Sequence, residues 1–570
     1  MKNEGAKLNK RWNLLYKNID AKTVLSIENA AEVSPLLALL MAVRNVTPEE
    51  AQEYIKGGMQ SLHDPFLLRD MDIAVERIQK AMVDREKICV YGDYDVDGIS
   101  SVSMLLSYFK AENITADFYI PDREKEGYGL NADAIRRIAE NGVTLLITVD
   151  TGITAIEETQ LAKSLGIDVI ITDHHSVGEV LPQALAIVNP KRPDCNYPFK
   201  ALAGAGVAFK LISALCNDVK KAVTEYCDIA ALATIADVVS LSGENRVITA
   251  LGLRKMRKLP SVGLSALFET AGITGSHLSS YQVSFGIAPR LNAAGRMGNS
   301  LPAVRLLQTD SMDEAAEIAA ELEAQNNTRK ALGDVVYEEA VAAIEAGDYD
   351  DKQVIVLAKN GWHHGIIGIT ASKIAEQYYK STFLISTDGQ TGKGSGRSIP
   401  GLNLYEALRS ADDLLIRYGG HALAAGLTIN VDKIDALSDA LNAYAMQNLT
   451  PEDLIPSLDI DAPLDISLPL LQVAKQLELL EPFGAGNAKP VFLISDVTLS
   501  SVRTSKDEKH LFLRLFKKGS SVDCVAFRKG ELASQLSRGD TVDIVGELHL
   551  NTYSGVMTPQ IIMQDIRIKK

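Results

Sequence analysis

Between residues 88 and 172, short apolar β-rich runs alternate with stretches whose apolar positions recur at helical spacing, and this alternation predicts βαβ units on a parallel sheet. The apolar runs are residues 87–90 (KICV), 143–149 (VTLLITV) and 167–172 (IDVIIT). Helical patterns lie between them: SSVSMLLSYFK from Ser100, and NADAIRRIAENG, which opens on Asn131 as an N-cap and closes at Gly142. Each predicted strand ends in acidic residues, in GDYDVDG, VDTG and TDHH. Ligands of open α/β sheets bind outside the carboxyl ends of the strands, so these acids are expected on one rim.

Residues 198–302 read as mostly helical with Gly-rich joints. Residues 311–346, rich in Ala and Glu with few breakers, predict one long connecting helix or two joined near Gly333. A second α/β unit follows, from the strand QVIVLA (353–358) through GWHHGIIGITASKIAEQYY and TFLIS to about Leu449. Past Thr450 and Pro451, five short alternating strands in ~110 residues predict a small β-barrel of the OB type. The expected organisation is a multidomain α/β chain. It has a helical lead-in over 1–80, a parallel-sheet domain over 81–310, a connecting helix over 311–347, a smaller α/β domain over 348–449 and the barrel over 455–570.

At 570 residues the chain is too long for one core. Hydrophobic residues at 46% and charged ones at 23% exclude a disordered or fibrous chain. No apolar run reaches the ~18 residues of a spanning helix. The start MKNEGAKLNKRWNLLYKN lacks an apolar signal core, so a cytoplasmic protein with no membrane partner is expected. Five cysteines, odd in number and never spaced CxxC, argue against a disulfide framework and a zinc ribbon. A net charge of −15 argues against a general grip on duplex DNA, so any nucleic-acid site must be locally basic. Residues 501–570 meet that condition, with 12 Lys+Arg against 8 Asp+Glu, a local +4 on a chain otherwise at −19.

The strand-end residues Asp93, Asp95, Asp97, Asp150, Asp173, His174 and His175, with Asp237 of ATIADVVS, carry the chemistry. Each piece alone has an ordinary reading: DxDG as a turn or helix cap, Asp-Thr-Gly as a turn, His-His as a surface or core pair. One geometry repeated over three consecutive βα units favours a site instead. Gly98 is expected to turn the chain sharply into the next helix, so that Asp95 and Asp97 face one centre. Many carboxylates with few imidazoles and no thiolate suit Mg²⁺ or Mn²⁺, and their crowding calls for two cations. Such a pair supports in-line hydrolysis of a phosphodiester, and no nucleophilic triad competes. GKGSGRS reads as a Gly-rich loop whose amides approach an anion, with Lys393 and Arg397 beside it. Arg290 and Arg296 in APRLNAAGR are either salt-bridge partners or phosphate contacts. His363 and His364 are core residues or substrate contacts, and His421 a structural residue or a phosphate contact.

GDYDVDG, VDTG, TDHH and ATIADVV resemble the four motifs of the DHH phosphoesterase superfamily, and GKGSGRSIPG and YGGHALAAG resemble its associated domain. IPDREKEGYGL, APRLNAAGRMG and GWHHGIIGI, with the OB-like tail, are most similar to the RecJ branch of that superfamily. The resemblance implies a single-strand-specific 5′-to-3′ DNA exonuclease of recombination and repair. It implies Asp95, Asp97, Asp150, His174 and Asp237, with Asp93 as a further candidate, as ligands of two divalent cations, Mn²⁺ or Mg²⁺, with Asp150 as the bridge. It places His175 at the phosphate among the catalytic groups, and Asp93 and Asp173 as ligands or orienting groups. It also implies Arg123, Arg290, Arg296, Ser395, Arg397 and His421 as substrate-binding residues. Tyr91 stands where several branches place a His, which leaves one metal position poorer in imidazole. Single-stranded DNA is the expected partner of a monomer, with a single-strand-binding protein and a RecQ-type helicase as candidate protein partners.

Two other readings compete: a phosphodiesterase of short oligoribonucleotides or cyclic dinucleotides from the same superfamily, and a non-catalytic DNA-binding scaffold. The basic tail favours the exonuclease, with Phe512, Phe516, Phe527 and Tyr553 as stacking platforms or as barrel core. Removal of residues from about 455 onward is expected to weaken binding of long strands more than cleavage of short ones.

Overall fold

In the computed structural model, which describes residues 10–123, 125–274, 278–347, 349–553 and 556–569, the βαβ alternation folds as an all-parallel sheet. Its strands are β1 (Ile88–Gly92), β2 (Ala116–Tyr119), β3 (Leu145–Val149), β4 (Asp168–Thr172) and β5 (Ala186–Val188), in the order β2-β1-β3-β4-β5. β1 and β3 are buried along their whole length, as apolar strands covered on both faces must be. β2 and β5 leave no clear trace in the sequence pattern, the first because ADFY mixes polarities and the second because three residues carry no period. The register pairs Gly92 with Val149 and Val149 with Thr172. The next residues, Asp93, Asp150 and Asp173, therefore leave the sheet at one level.

Helices α1 (Val96–Ala111), α2 (Gly204–Cys216), α3 (Val219–Ala236) and α4 (Gly243–Lys258) pack around this sheet and on one another. Small residues set their spacing: a Cβ on Gly252 of α4 would fall 2.2 Å from the Cys227 carbonyl oxygen of α3.

The chain forms two compact units, Asn13–Leu322 with Asp459–Lys570, and Glu323–Leu458 with the described part of Met1–Trp12. In the first, the tail closes as a five-stranded barrel from β11 (Val491–Thr504), β12 (Leu511–Lys517), β13 (Ser520–Ala526), β14 (Thr541–Tyr553) and β15 (Val556–Ile568). β14 pairs back onto β11 to close it. Along β12, Leu511, Leu513 and Leu515 fill the barrel, while Phe512 and Phe516 alternate to the outside. Phe527 is exposed too, and the side chain of Tyr553 lies outside the described ones.

The lead-in expected over 1–80 has no core of its own among the described residues. Ile27, Leu37, Leu40 and Met41 of its first helices share a core with barrel residues such as Phe492 and Leu513. Met71, Ala74 and Ile78 belong instead to the core of the parallel-sheet domain. No single described helix is long and apolar enough to cross a membrane.

In the second unit, β6 (Val354–Asn360), β7 (Ser381–Thr387), β8 (Thr391–Arg397), β9 (Leu415–Gly420) and β10 (Ala424–Asn430) form a sheet ordered β9-β10-β8-β7-β6. The helix Met312–Ala346, which begins in the first unit, runs unbroken through Gly333. GKGSGRS is not a loop. It lies in β8, paired on one side with β7 and on the other with β10, so its backbone is engaged in the sheet. Its glycines make room for neighbours: a Cβ on Gly396 would sit 2.3 Å from the Phe383 ring.

Candidate metal centre

The ends of β1 and β3 deliver acids, and the end of β4 delivers His175, into one cavity of about 360 Å³. Asp93, Tyr94, Asp95, Arg123, Tyr128, Asp150, His175, Asp237, Asn292 and Arg296 line it. Asp95 is the N-cap of α1: its Oδ1 accepts from the amides of Asp97 (3.0 Å) and Gly98 (3.1 Å). The helix-cap reading of DxDG thus holds for one oxygen of Asp95 and leaves the other available. Gly98 does not make the turn. It sits in the first turn of α1, where a Cβ would fall 2.4 Å from the Asp93 carbonyl oxygen, so a side chain is barred by close approach.

Asp97 is fully buried and gripped from across the sequence, its carboxylate accepting from the amides of Gly204 (2.7 Å) and Ala205 (2.6 Å) at the N-terminus of α2. The same Gly204 lies against Asp150, with its would-be Cβ 2.6 Å from Oδ1. Asp150 itself holds a left-handed conformation (φ 58°) at the end of β3. Asp237 caps the C-terminus of α3 and is followed by Val238 at φ 61°, a strained state for a β-branched residue.

His174 Nδ1 lies 3.1 Å from the Leu202 carbonyl, which can only accept, so Nδ1 carries the proton. The lone pair on Nε2 is thereby turned towards Asp150 (3.2 Å), Asp237 (3.8 Å) and Asp97 (4.0 Å). Burial and the neighbouring His175 lower the His174 pKa to about 4, which keeps the ring neutral. Asp173 accepts from the amides of Ile153, His174 and His175 and from His175 Nδ1 at 2.7 Å. Burial raises its pKa, but these donors outweigh burial and leave it lowered. The partnership also raises the pKa of His175 against the opposing effect of burial.

Asp93, Asp97, Asp150 and Asp237 are raised, first by burial and then by neighbouring acids. Asp97 is pushed up to about 7, Asp237 to about 9, and Asp93 and Asp150 well above the ordinary carboxylate range. Asp93 Oδ1, Asp150 Oδ1 and Asp237 Oδ2 are buried without a hydrogen-bond partner. Donor atoms gather within 4.8 Å in three sets: Asp93, Asp95 and Asp150; Asp97, His174 and Asp237; Asp150, His174 and His175. Orphaned oxygens, a neutral imidazole and mutually repelling acids fit hard divalent cations, and Asp150 is common to two sets.

The lining also holds two guanidinium groups. Arg123 lies over the Tyr94 ring at 5.0 Å, and Arg296 completes the lining. Arg290 does not line the cavity. It is buried, and its guanidinium donates to the Gly286 carbonyl one turn back in its own helix. Tyr91 donates to the Gly129 carbonyl (3.0 Å) and stacks on Tyr119, tying down the segment that carries Tyr128. Tyr94, Tyr128 and Asn292, whose Oδ1 accepts from the Val96 amide, were not singled out in sequence, although all lie in or beside quoted motifs.

Ser395, Arg397 and His421 belong to the second unit. Arg397 donates to Ser395 Oγ (3.1 Å), and both stand against Gly368, whose Cβ would meet them at 2.9–3.1 Å. His421 is exposed at the β9–β10 turn, and its amide donates to the Ala424 carbonyl. His363 is the N-cap of the helix His364–Tyr378, its Nδ1 accepting from the Gly365 amide.

Three family models match the chain: the DHH family N-terminal domain over residues 87–234, the DHHA1 domain over 351–447 and the RecJ OB domain over 460–565. The chain is 40% identical over 564 residues to the single-stranded-DNA-specific exonuclease RecJ of Bacillus subtilis, covering 98% of this chain and 71% of that one. It is 32% identical to the enzyme of that name from Escherichia coli, covering 94% and 96%. Among solved structures it is similar to RecJ from Thermus thermophilus in complex with Mn²⁺, with a TM-score of 0.85 and 32% identity over 98% of this chain and 80% of that one. The Mg²⁺ complex gives a TM-score of 0.79 at 31% identity, covering 98% and 79%.

Proposed function

The chain belongs to the RecJ family of single-stranded-DNA-specific exonucleases, and on that premise we propose that it hydrolyses single-stranded DNA from the 5′ end, releasing 5′-mononucleotides, with two divalent cations at the rim of its parallel sheet. The observation that carries this reading is the set of buried, unpartnered oxygens on Asp93, Asp150 and Asp237 in a cavity faced by Arg123 and Arg296. Asp93, Asp95, Asp97, Asp150, His174 and Asp237 would hold the cations. Bound there, Mn²⁺ or Mg²⁺ neutralises the carboxylates, lowers the pKa of a water and stabilises charge that develops on the phosphodiester.

The chain's own groups supply the rest. The Leu202 carbonyl fixes the His174 tautomer, and the α2 amides fix Asp97. Asp173 holds His175 by Nδ1, which leaves Nε2 beside Tyr128 to donate to a phosphate oxygen. Arg123 and Arg296 orient the phosphate by charge and by planar donor geometry. Ser395 and Arg397, an adjacent hydroxyl and guanidinium, grip the 5′-phosphate, and His421 assists them. Outward-facing Phe512, Phe516 and Phe527 on a locally basic barrel stack the bases of longer strands. The setting is cytoplasmic recombination and repair, in which the enzyme acts as a monomer on strands exposed by a RecQ-type helicase and covered by a single-strand-binding protein.

Digestion of single-stranded DNA blocked at one end, with Mn²⁺ and Mg²⁺ compared, tests the reading. A 5′ block should stop mononucleotide release and a 3′ block should not, and Asp150→Ala should abolish release. Degradation from the 3′ end, preference for dinucleotides, or full activity in Asp150→Ala would overturn it.

A further inference from the structure

One helical run carries an exposed face straight into the metal cavity. Ser280–Gln282 is α-helical, Val283–Ile287 is π-helical and Ala288–Arg296 is α-helical again. Val283, Ile287, Leu291 and Ala294 are buried. The solvent side reads Tyr281, Phe285, Pro289, Asn292 and Arg296, steps of four, four, three and four, which is one stripe of a helix. Its last two members line the cavity. Its first two are large aromatic residues left 67% and 70% exposed, their rings 4.7 Å apart and tilted by 37°. Two solvated aromatic rings, one of them on the π-turn, need a partner to account for them, since neither contributes to the core.

The charge nearby indicates the partner. Arg254, Arg257 and Lys258 are all exposed at i, i+3 and i+4 on α4. Arg257 anchors this face beside the run by donating to the Leu278 carbonyl at 2.7 Å, and Glu481 at 3.7 Å offsets part of its charge. Aromatic rings on a run that Arg257 contacts three residues before Tyr281, continuous with a cavity that Arg123 and Arg296 line, match a single-stranded polynucleotide.

We propose that Tyr281 and Phe285 form a stacking platform for a base of the substrate strand, several nucleotides away from the bond being cleaved. This rests on the exonuclease reading and deepens it. Phe285 stands 11 residues from Arg296, about 16 Å along the helix. That length holds about five nucleotides at the stacked rise of one strand, and fewer in an extended one. The bases of a duplex are already stacked on one another, so the platform also favours single strands.

The test uses the full chain with Tyr281→Ala, Phe285→Ala and the double variant, and both sites are exposed enough for the fold to tolerate them. For a 20-nucleotide strand KM should rise on the order of tenfold with kcat unchanged, a trinucleotide should be cleaved as before, and Phe285→Trp should restore the parent value. Anisotropy binding of the same 20-mer in an Asp150→Ala background gives a readout that does not depend on cleavage, so failure of the exonuclease reading and failure of the platform are distinguishable. Unchanged 20-mer affinity in the double variant would overturn the platform and leave the pair as a protein contact. Equal losses on the trinucleotide and the 20-mer, or full rescue by Phe285→Leu, would overturn it as well.

Discussion

At the scale of single residues, the acids of the site were legible and the groups that hold them were not. Strand-end position alone singled out Asp93, Asp150 and Asp173, because three parallel strands in register end at one level. The grip on Asp97 comes from amides 107 and 108 positions away, a distance no local pattern spans. Gly204 is the residue most exposed to a test, because its missing Cβ lets α2 approach Asp97 and Asp150 at once. Gly204→Ala should weaken activation by Mn²⁺ by about 10–100-fold, the scale of losses behind a metal ligand, and a Mn²⁺ titration of activity reads it. The raised acids give a second prediction, on pH. Their folded pKa values, about 7 for Asp97 and about 9 for Asp237, exceed the ordinary 3.8. The metal-free fold is therefore favoured while they are protonated, and that contribution is lost as pH rises through 7 and then 9. In EDTA the melting temperature should fall between pH 6 and 9. With Mn²⁺ the fall should flatten, because bound cations need the ionised acids. Equal slopes in both conditions would mean that the acids do not act together as a cation site.

At the scale of elements, period-2 and period-3.6 signals located β1, β3, β4, β6, β7, the connecting helix and the five barrel strands, and missed β9 and β10. Elements too short or too mixed to hold a period, β2 and β5, escaped. Glycine misled at Gly98, which packs within the first turn of α1, and again in GKGSGRS. In GKGSGRS it signals a phosphate loop, whereas the segment is a central strand whose glycines accommodate Phe383 and Leu427. A side chain at Gly396 would overpack that sheet, so Gly396→Ala should cost about 1–3 kcal/mol of stability in the second unit, read as a lowered unfolding midpoint. If GKGSGRS were the loop expected from sequence, the same change would leave the midpoint alone and alter only phosphate binding.

At the scale of the whole chain, net charge was a poor guide to the partner, because a chain at −15 carries a segment, residues 501–570, at +4. The expected separability of the tail was also a poor guide, and the packing revises the deletion experiment. Arg246 of α4 stacks on Tyr54 at 3.9 Å and donates to the carbonyls of Tyr54, Leu479 and Leu480. Asn487 accepts from Arg44 and Tyr54 and donates to Leu480 and Pro482. The Ala485 carbonyl receives the Leu241 amide, four residues from Asp237. The barrel domain is thus bolted both to the lead-in helices and to the loop after Asp237. Deleting residues from about 455 onward would bare Ile27, Leu37, Leu40 and Met41 and remove the support of the Asp237 loop. The truncated chain should aggregate or lose cleavage of short and long strands alike, and that loss would say nothing about a grip on DNA. Outward-facing side chains isolate the grip. Phe516 and Phe527 are 43% and 57% exposed, so Phe516→Ala with Phe527→Ala should leave the melting temperature within a degree or so. Affinity for a 30-nucleotide strand should fall by about tenfold while trinucleotide cleavage stays unchanged. Unaltered affinity in that double variant would confine strand binding to the parallel-sheet domain and reduce the barrel to a structural support.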